Sequence, residues 1–280
     1  MNKCYITTTD RYCKFDFLLY RLFGWKKMLK KITFCQNHIN LFTLPLPKKM
    51  KERQKKKYFT KLCNYFHRLD IQSVCCSNIM DDLLRYYLKT EFQWIDGSAV
   101  FSELFFDVIS SFCVKKGYNL EECELIFLSN CPKDVRNYIE KSLKKVKKIS
   151  IFTTNPSLFD GFVQEFRDQY GIFIQVKGKD DKVKKYNKIY INCEPDRIVD
   201  ESFFSSVHLI DPYRVYHGAF NEILLSYKTD EDAFIKEHHI IKNLPFTEYY
   251  IRSVTLNADK NFVKSFLKKN HYKIVNIKKL

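Results

Sequence analysis

The chain has 280 residues, 45% of them hydrophobic and 29% charged, which suits a buried core and excludes intrinsic disorder. No uncharged apolar run reaches the roughly 18 residues that a membrane-crossing helix needs. The formal net charge of +16 is unevenly placed: residues 1–69 hold 17 Lys+Arg and 3 Asp+Glu, which leaves 31 of the 48 basic and 29 of the 32 acidic residues for the rest.

Near the start, Lys3, Asp10, Arg11, Lys14 and Asp16 break any apolar core that a secretory signal would need. None of the 10 cysteines has C-x-x-C spacing, and several sit in apolar runs where a thiol behaves as a small hydrophobe. Free thiols in a reducing, cytoplasmic compartment are the expectation.

Along the chain, Phe15, Leu18, Leu22, Trp25, Leu29 and Ile32 have helical spacing, with Lys26, Lys27, Lys30 and Lys31 opposite. Gly24 weakens that helix, and residues 31–35 and 40–44 read instead as short strands around Gln36-Asn37-His38. Leu44-Pro45-Leu46-Pro47 ends regular structure before a basic run, after which Phe59, Leu62, Cys63, Phe66 and Leu69 are spaced as a helix. A strand is predicted over 71–76, a helix over 79–89 and a strand over 92–95. Asp96-Gly97 is a turn, and Ser98 is placed to cap a helix carrying Phe101, Leu104, Phe105, Val108, Ile109 and Phe112, which Gly117 ends.

From there strands and helices alternate: strand 124–128, helix 132–146 with Pro132 in its first turn, strand 148–152, helix 156–170 ended by Gly171, then strands 172–176 and 188–192. Residues 207–210 extend the series. Each strand is a short, nearly continuous apolar run, as in a parallel sheet covered on both faces. Helices are also expected over 231–243 and 258–269, with a closing strand over 272–277. The fold class expected is α/β: a Rossmann-like doubly wound parallel sheet over 119–280, preceded by a smaller basic α/β region over 1–118.

Candidate chemistry is sparse, and no catalytic motif stands out. His238-His239 point about 100° apart on a helix and cannot chelate as an i, i+4 pair would; they read as a solvated helix face. His208 and His217 flank Asp211, an arrangement open to acid–base work or to a structural histidine. Asp96-Gly97-Ser98 reads as turn plus cap, and Cys75-Cys76 as two reduced thiols, one of them buried. No metal site is expected.

The basic run places seven cations, Lys48, Lys49, Lys51, Arg53, Lys55, Lys56 and Lys57, within ten residues. It can neutralise nucleic-acid phosphates without sequence preference, and the stripe at 15–32 offers the alternative of an anionic membrane surface; a merely solvated basic face is the third reading. Residues 15–68 are therefore the expected polyanion contact, if there is one.

The pieces Leu125–Asn130, Lys147–Asn155, Gly171–Val176 and Tyr186–Pro195 together resemble the NAD(P)-binding domain of shikimate dehydrogenase and glutamyl-tRNA reductase. In that group a strand meets a glycine-rich turn, a second strand ends in a residue that reads the ribose, and a later segment passes over the cofactor. The resemblance implies ligand contacts at Ser129, Asn130, Lys133, Thr153, Thr154 and Asn155. This chain departs from it at the first turn, Ser129-Asn130-Cys131-Pro132-Lys133-Asp134, which has no glycine where backbone N–H groups must approach a pyrophosphate. Thr153-Thr154-Asn155 supplies neither an acid for a ribose diol nor an arginine for a 2′-phosphate. Taken whole, the chain also resembles proteins of low-GC, spore-forming bacteria, a likeness that implies no activity. The expectation is a degenerate, non-catalytic Rossmann-like domain that binds a small ligand or a protein partner and takes no cofactor. A nucleic-acid-binding protein and an NAD(P)-dependent oxidoreductase with an atypical phosphate loop are the alternatives.

Overall fold

The computed structural model describes residues 2–8, 29–34, 37–44, 50–76, 82–143, 145–178, 187–194, 208–212, 221–227, 229, 232–237, 242–254 and 260–279. The first elements are β1 (Asn2–Thr8), β2 (Leu29–Phe34), β3 (Asn37–Leu44), α1 (Glu52–Arg68), β4 (Ile71–Cys76), α2 (Asp82–Glu91), β5 (Gln93–Ile95) and α3 (Ser98–Lys116). There follow β6 (Glu124–Leu128), α4 (Pro132–Ser142), β7 (Lys148–Phe152), α5 (Asp160–Tyr170), β8 (Gln175–Lys177), β9 (Lys188–Asn192) and β10 (His208–Ile210). The chain closes with β11 (Asn221–Ser226), α6 (Asp232–Glu237), α7 (Leu244–Val254), α8 (Lys260–Lys269) and β12 (Lys273–Lys279). Among the described residues no helix is long and apolar enough to cross a membrane.

Two compact units result: Met1–Val100 with Ser226–Tyr272, and Phe101–Leu225 with Lys273–Leu280. This division differs from a single boundary near residue 118, because the chain returns to its first unit. There α7 lays Phe246 and Tyr249 against Tyr5 of β1, at ring-centroid distances of 5.1 and 5.3 Å.

In the first unit the sheet order is β2-β3-β1-β4-β5, parallel except for β2, which runs antiparallel at the edge. Leu29, read only in the helical stripe, and Ile32, read both there and in a strand over 31–35, belong to β2 and pair with Phe42 and Ile39 of β3. Hydrogen bonding to a neighbouring strand outweighs helical spacing there; residues 15–28 lie outside the described residues. Cys75 and Cys76 are both free and both buried, correcting the expectation of one, because this parallel sheet is covered on either side. Burial pushes both thiols well above their ordinary range.

Helix α7 was not expected from sequence. All of its residues from Leu244 to Ile251 are buried, so no polar stripe marks it. Its start signal is nonetheless present: Asn243 Oδ1 accepts the Phe246 N–H at 3.0 Å, and Pro245 sits in the first turn. At the start of α3 the capping also differs from expectation. Ser98 lies inside the helix and its N–H donates to Asp96 Oδ1 at 2.9 Å, while the Ala99 N–H donates to the buried Glu248 carboxylate at 3.0 Å. Gly97 between them has φ +87°, and a Cβ there would stand 2.7 Å from the Leu244 backbone.

In the second unit the sheet order is β10-β9-β6-β7-β8, parallel throughout. Numbered within the unit this is 3-2-1-4-5, the Rossmann arrangement. Leu125 to Leu128 of β6, at its centre, are fully buried. Phe105 of α3 and Tyr138 of α4 lie over Phe127 with ring centroids 6.0 and 6.5 Å away.

Glu124, at the amino end of β6, is enclosed by Lys177 and Lys188 and accepts the Ser150 hydroxyl at 2.5 Å. Burial raises its carboxyl, but the hydrogen bonds from Lys177 and Ser150 and the two lysine charges outweigh this and hold it below the ordinary range. An acid lowered in the folded state adds stability above its unfolded pKa and loses it as pH falls. Glu124→Gln is therefore expected to destabilise by about 1.5–3 kcal/mol at pH 7. In urea titrations the gap to wild type is expected to close as pH drops below about 4.3.

Candidate functional site

In a doubly wound sheet the ligand crevice opens at the carboxyl ends of the strands, where the strand order reverses. Here that point lies between β6 and β9. The turns after β6, β7 and β9 supply Ser129-Asn130-Cys131, Thr153-Thr154-Asn155 and Cys193-Glu194, and Asp211 follows β10.

These residues form one hydrogen-bonded belt. Asn130 Oδ1 accepts from the Thr153 hydroxyl at 3.0 Å, the Thr154 N–H at 2.9 Å and the Thr154 hydroxyl at 2.8 Å, which exhausts a carbonyl oxygen. The Asn130 N–H donates to Glu194 Oε1 at 3.2 Å. The Glu194 N–H donates to Asn192 Oδ1 at 3.1 Å, and Asn192 Nδ2 to Asp211 Oδ2 at 3.1 Å, both Asn192 and Asp211 being buried. The belt thus crosses the ends of β10, β9, β6 and β7, and each member restrains the next.

Of the residues expected at the site, Asn130, Thr153 and Thr154 meet directly. Asn155 joins through its N–H to the Thr153 hydroxyl at 3.1 Å. Ser129 is buried and closes on its own turn, its Oγ accepting the Cys131 N–H at 2.9 Å. Lys133 is exposed on the first turn of α4 and stands apart from the belt. Glu194, Asn192 and Asp211 were not singled out as members. Their signal was only their place just past β9 and β10, since nothing in local sequence ties Glu194 to a residue 64 positions earlier.

The electrostatics oppose an anion. Asp134, in the first turn of α4, has its carboxyl raised by burial and by the charge of Glu194, against a hydrogen bond from Ser129. The dinucleotide fold uses this helix start for pyrophosphate, drawing on free N–H groups and the positive helix end. Here the Asn130 and Cys131 N–H groups are already engaged and two carboxylates face the position. The residues present do not fit NAD(P).

Among the described residues the other candidates are not assembled into sites. His208 opens β10 and meets the Tyr118 hydroxyl at 2.7 Å, whereas Asp211 lies past the other end of that strand, about 10 Å along the chain. His217, His238 and His239 lie outside the described residues. Among the described residues no three His, Cys, Asp or Glu side chains gather as a metal site.

The basic run is divided by helix geometry. Lys48 and Lys49 lie outside the described residues. Lys51 precedes α1, where its N–H is taken by Gln54 Oε1 at 3.1 Å, and Lys55 is half-buried above the apolar face. Lys56 pairs with Glu52 at 3.0 Å. Arg53 and Lys57 are exposed on the outward face, which Lys61 and Arg68, from beyond the run, also share.

No protein-family model matches the chain, and no curated protein matches it in sequence. Several solved structures are similar at low identity. L-tryptophan dehydrogenase from Nostoc punctiforme is 8% identical with a TM-score of 0.38, over 96% of this chain and 80% of that one. The 5-ketofructose reductase of Gluconobacter sp. strain CHM43 is 9% identical with a TM-score of 0.31, over 96% and 98%. Shikimate dehydrogenase 1 from Peptoclostridium difficile is 10% identical with a TM-score of 0.33, over 97% and 98%. Likenesses this distant leave the fold to rest on its own strand order, which is that of a Rossmann-like α/β protein.

Proposed function

We propose that the second unit is a degenerate Rossmann-like domain that does not bind a dinucleotide and whose carboxyl edge takes a neutral or cationic small ligand or a protein segment. The observation that carries this reading is the closed belt, in which the Asn130 and Cys131 N–H groups are engaged by Glu194 and Ser129 and the helix start is flanked by Asp134. Adding a phosphate beside two partly buried carboxylates is electrostatically unfavourable. The Asn130 amide NH2 and the Asp134 carboxylate are polar groups that suit a donor-bearing ligand.

The test is thermal unfolding with and without saturating NADH or NADPH. A ligand at 100 times its dissociation constant stabilises by about 2.7 kcal/mol. For units of this size that raises the midpoint by about 5–10 °C. No shift is expected. A rise of that size with either nucleotide would overturn the reading in favour of an oxidoreductase with an atypical phosphate loop.

A further inference from the structure

Helix α1 presents two unlike faces. Tyr58, Phe59, Leu62, Cys63 and Phe66 are buried in the first unit. Opposite them, Arg53, Lys57, Lys61 and Arg68 are all exposed, spaced 4, 4 and 7 residues apart. At about 100° per residue the four fall within an arc of about 80°, and at 1.5 Å per residue they extend over about 22 Å. Thr60 and Asn64 stand between them on the same exposed face. Among the described residues none of these four cations has an acidic partner: Glu52, the one acid of the helix, holds Lys56, and on the flank Glu91 meets His67 at 3.1 Å.

We propose that this face of α1 is a nucleic-acid-binding surface that grips the phosphodiester backbone without reading base sequence. Four unpaired cations in a line, with the Asn64 amide between them, are the side chains that contact phosphates. A membrane surface fits the helix less well, because an interfacial helix must bury its apolar side in lipid and α1 has already buried that side in protein. The surface differs from the run of charge read along the sequence: Lys51, Lys55 and Lys56 leave it, while Lys61 and Arg68 join it.

The experiment is fluorescence anisotropy of the full chain with a labelled 20-bp duplex and a labelled 20-nucleotide single strand, at 50 and 200 mM salt. Four neutralised phosphates predict that affinity falls about 150-fold between the two conditions for duplex and about 50-fold for single strand. The exposed double variant Lys57→Gln, Lys61→Gln is expected to bind more weakly and to reduce those ratios to about 12-fold and about 7-fold. Its melting temperature should match wild type, as surface substitutions seldom exceed about 0.5 kcal/mol. The double variant Lys147→Gln, Lys148→Gln removes the same charge from exposed positions in the second unit and is expected to bind as wild type does. The proposal is overturned if neither oligonucleotide binds at 50 mM salt, or if the two double variants weaken binding equally. It is likewise overturned if vesicles of 30% phosphatidylserine in phosphatidylcholine bind while both oligonucleotides do not.

Discussion

Truncation of Phe127 to alanine is expected to lower stability by about 3–5 kcal/mol, the range for removing a buried phenyl ring. Phe127 is fully buried on the central strand of the second unit, with Phe105 and Tyr138 over it. The loss combines transfer of the ring to water with a cavity that three elements line and that no single side-chain movement can fill. Phe127→Leu, which keeps most of the volume, is expected to cost less than about 1.5 kcal/mol. Urea unfolding followed by circular dichroism separates the two. Equal, small losses for both would mean that β6 is not the centre of the core.

Glu248 carries the other large effect. Its buried carboxylate accepts the Ala99 N–H at the start of α3 and pairs with Arg252 Nη2 at 2.6 Å. Glu248→Ala strands both partners and is expected to cost about 3 kcal/mol, the low end for a broken buried pair, because Arg252 keeps a third of its side chain exposed. Glu248→Gln retains an acceptor for the N–H and is expected to cost about 1 kcal/mol.

The pH dependence of Glu248 runs opposite to that of Glu124. Burial, opposed by Arg252 and reinforced by Asp96, holds the Glu248 carboxyl above its ordinary range. A raised acid binds its proton more tightly in the folded state, so its contribution to stability falls as pH rises from the unfolded pKa through the folded one. Glu248→Gln should lose that decline, whereas Glu124→Gln loses the drop on acidification. A variant of Glu248 with the pH profile of wild type would show that the carboxylate is not buried as described.

The parallel core of the second unit was legible because β6, β7 and β9 are short apolar runs, and β6 and β7 are each followed by a helix with its own punctuation: Pro132 at the start of α4 and Gly171, in the left-handed region, at the end of α5. The candidate site was legible in part. Ser129, Asn130, Thr153, Thr154 and Asn155 were singled out by the family resemblance at the strand ends, but Glu194, Asn192 and Asp211 were not, since their partners come from other strands. Helix α7 was invisible for a different reason: periodicity reports the contrast between a wet face and a dry one, and a helix buried all round has none. Strand β2 shows the converse, a helical spacing at Leu29 overruled by pairing with β3.

By itself the sequence determined where the charge is concentrated, which segments are apolar enough to be central strands, and that no glycine stands at the first turn. These are properties of single residues and of spacing along the chain. Only the tertiary structure decided that strand ends far apart in sequence share one belt, that two carboxylates face the helix start, and that Lys61 and Arg68 rather than Lys51 and Lys55 complete the basic face. Hydrogen-bond partners, burial and the direction of a side chain around its helix are fixed by neighbours in space, and a linear pattern does not contain them.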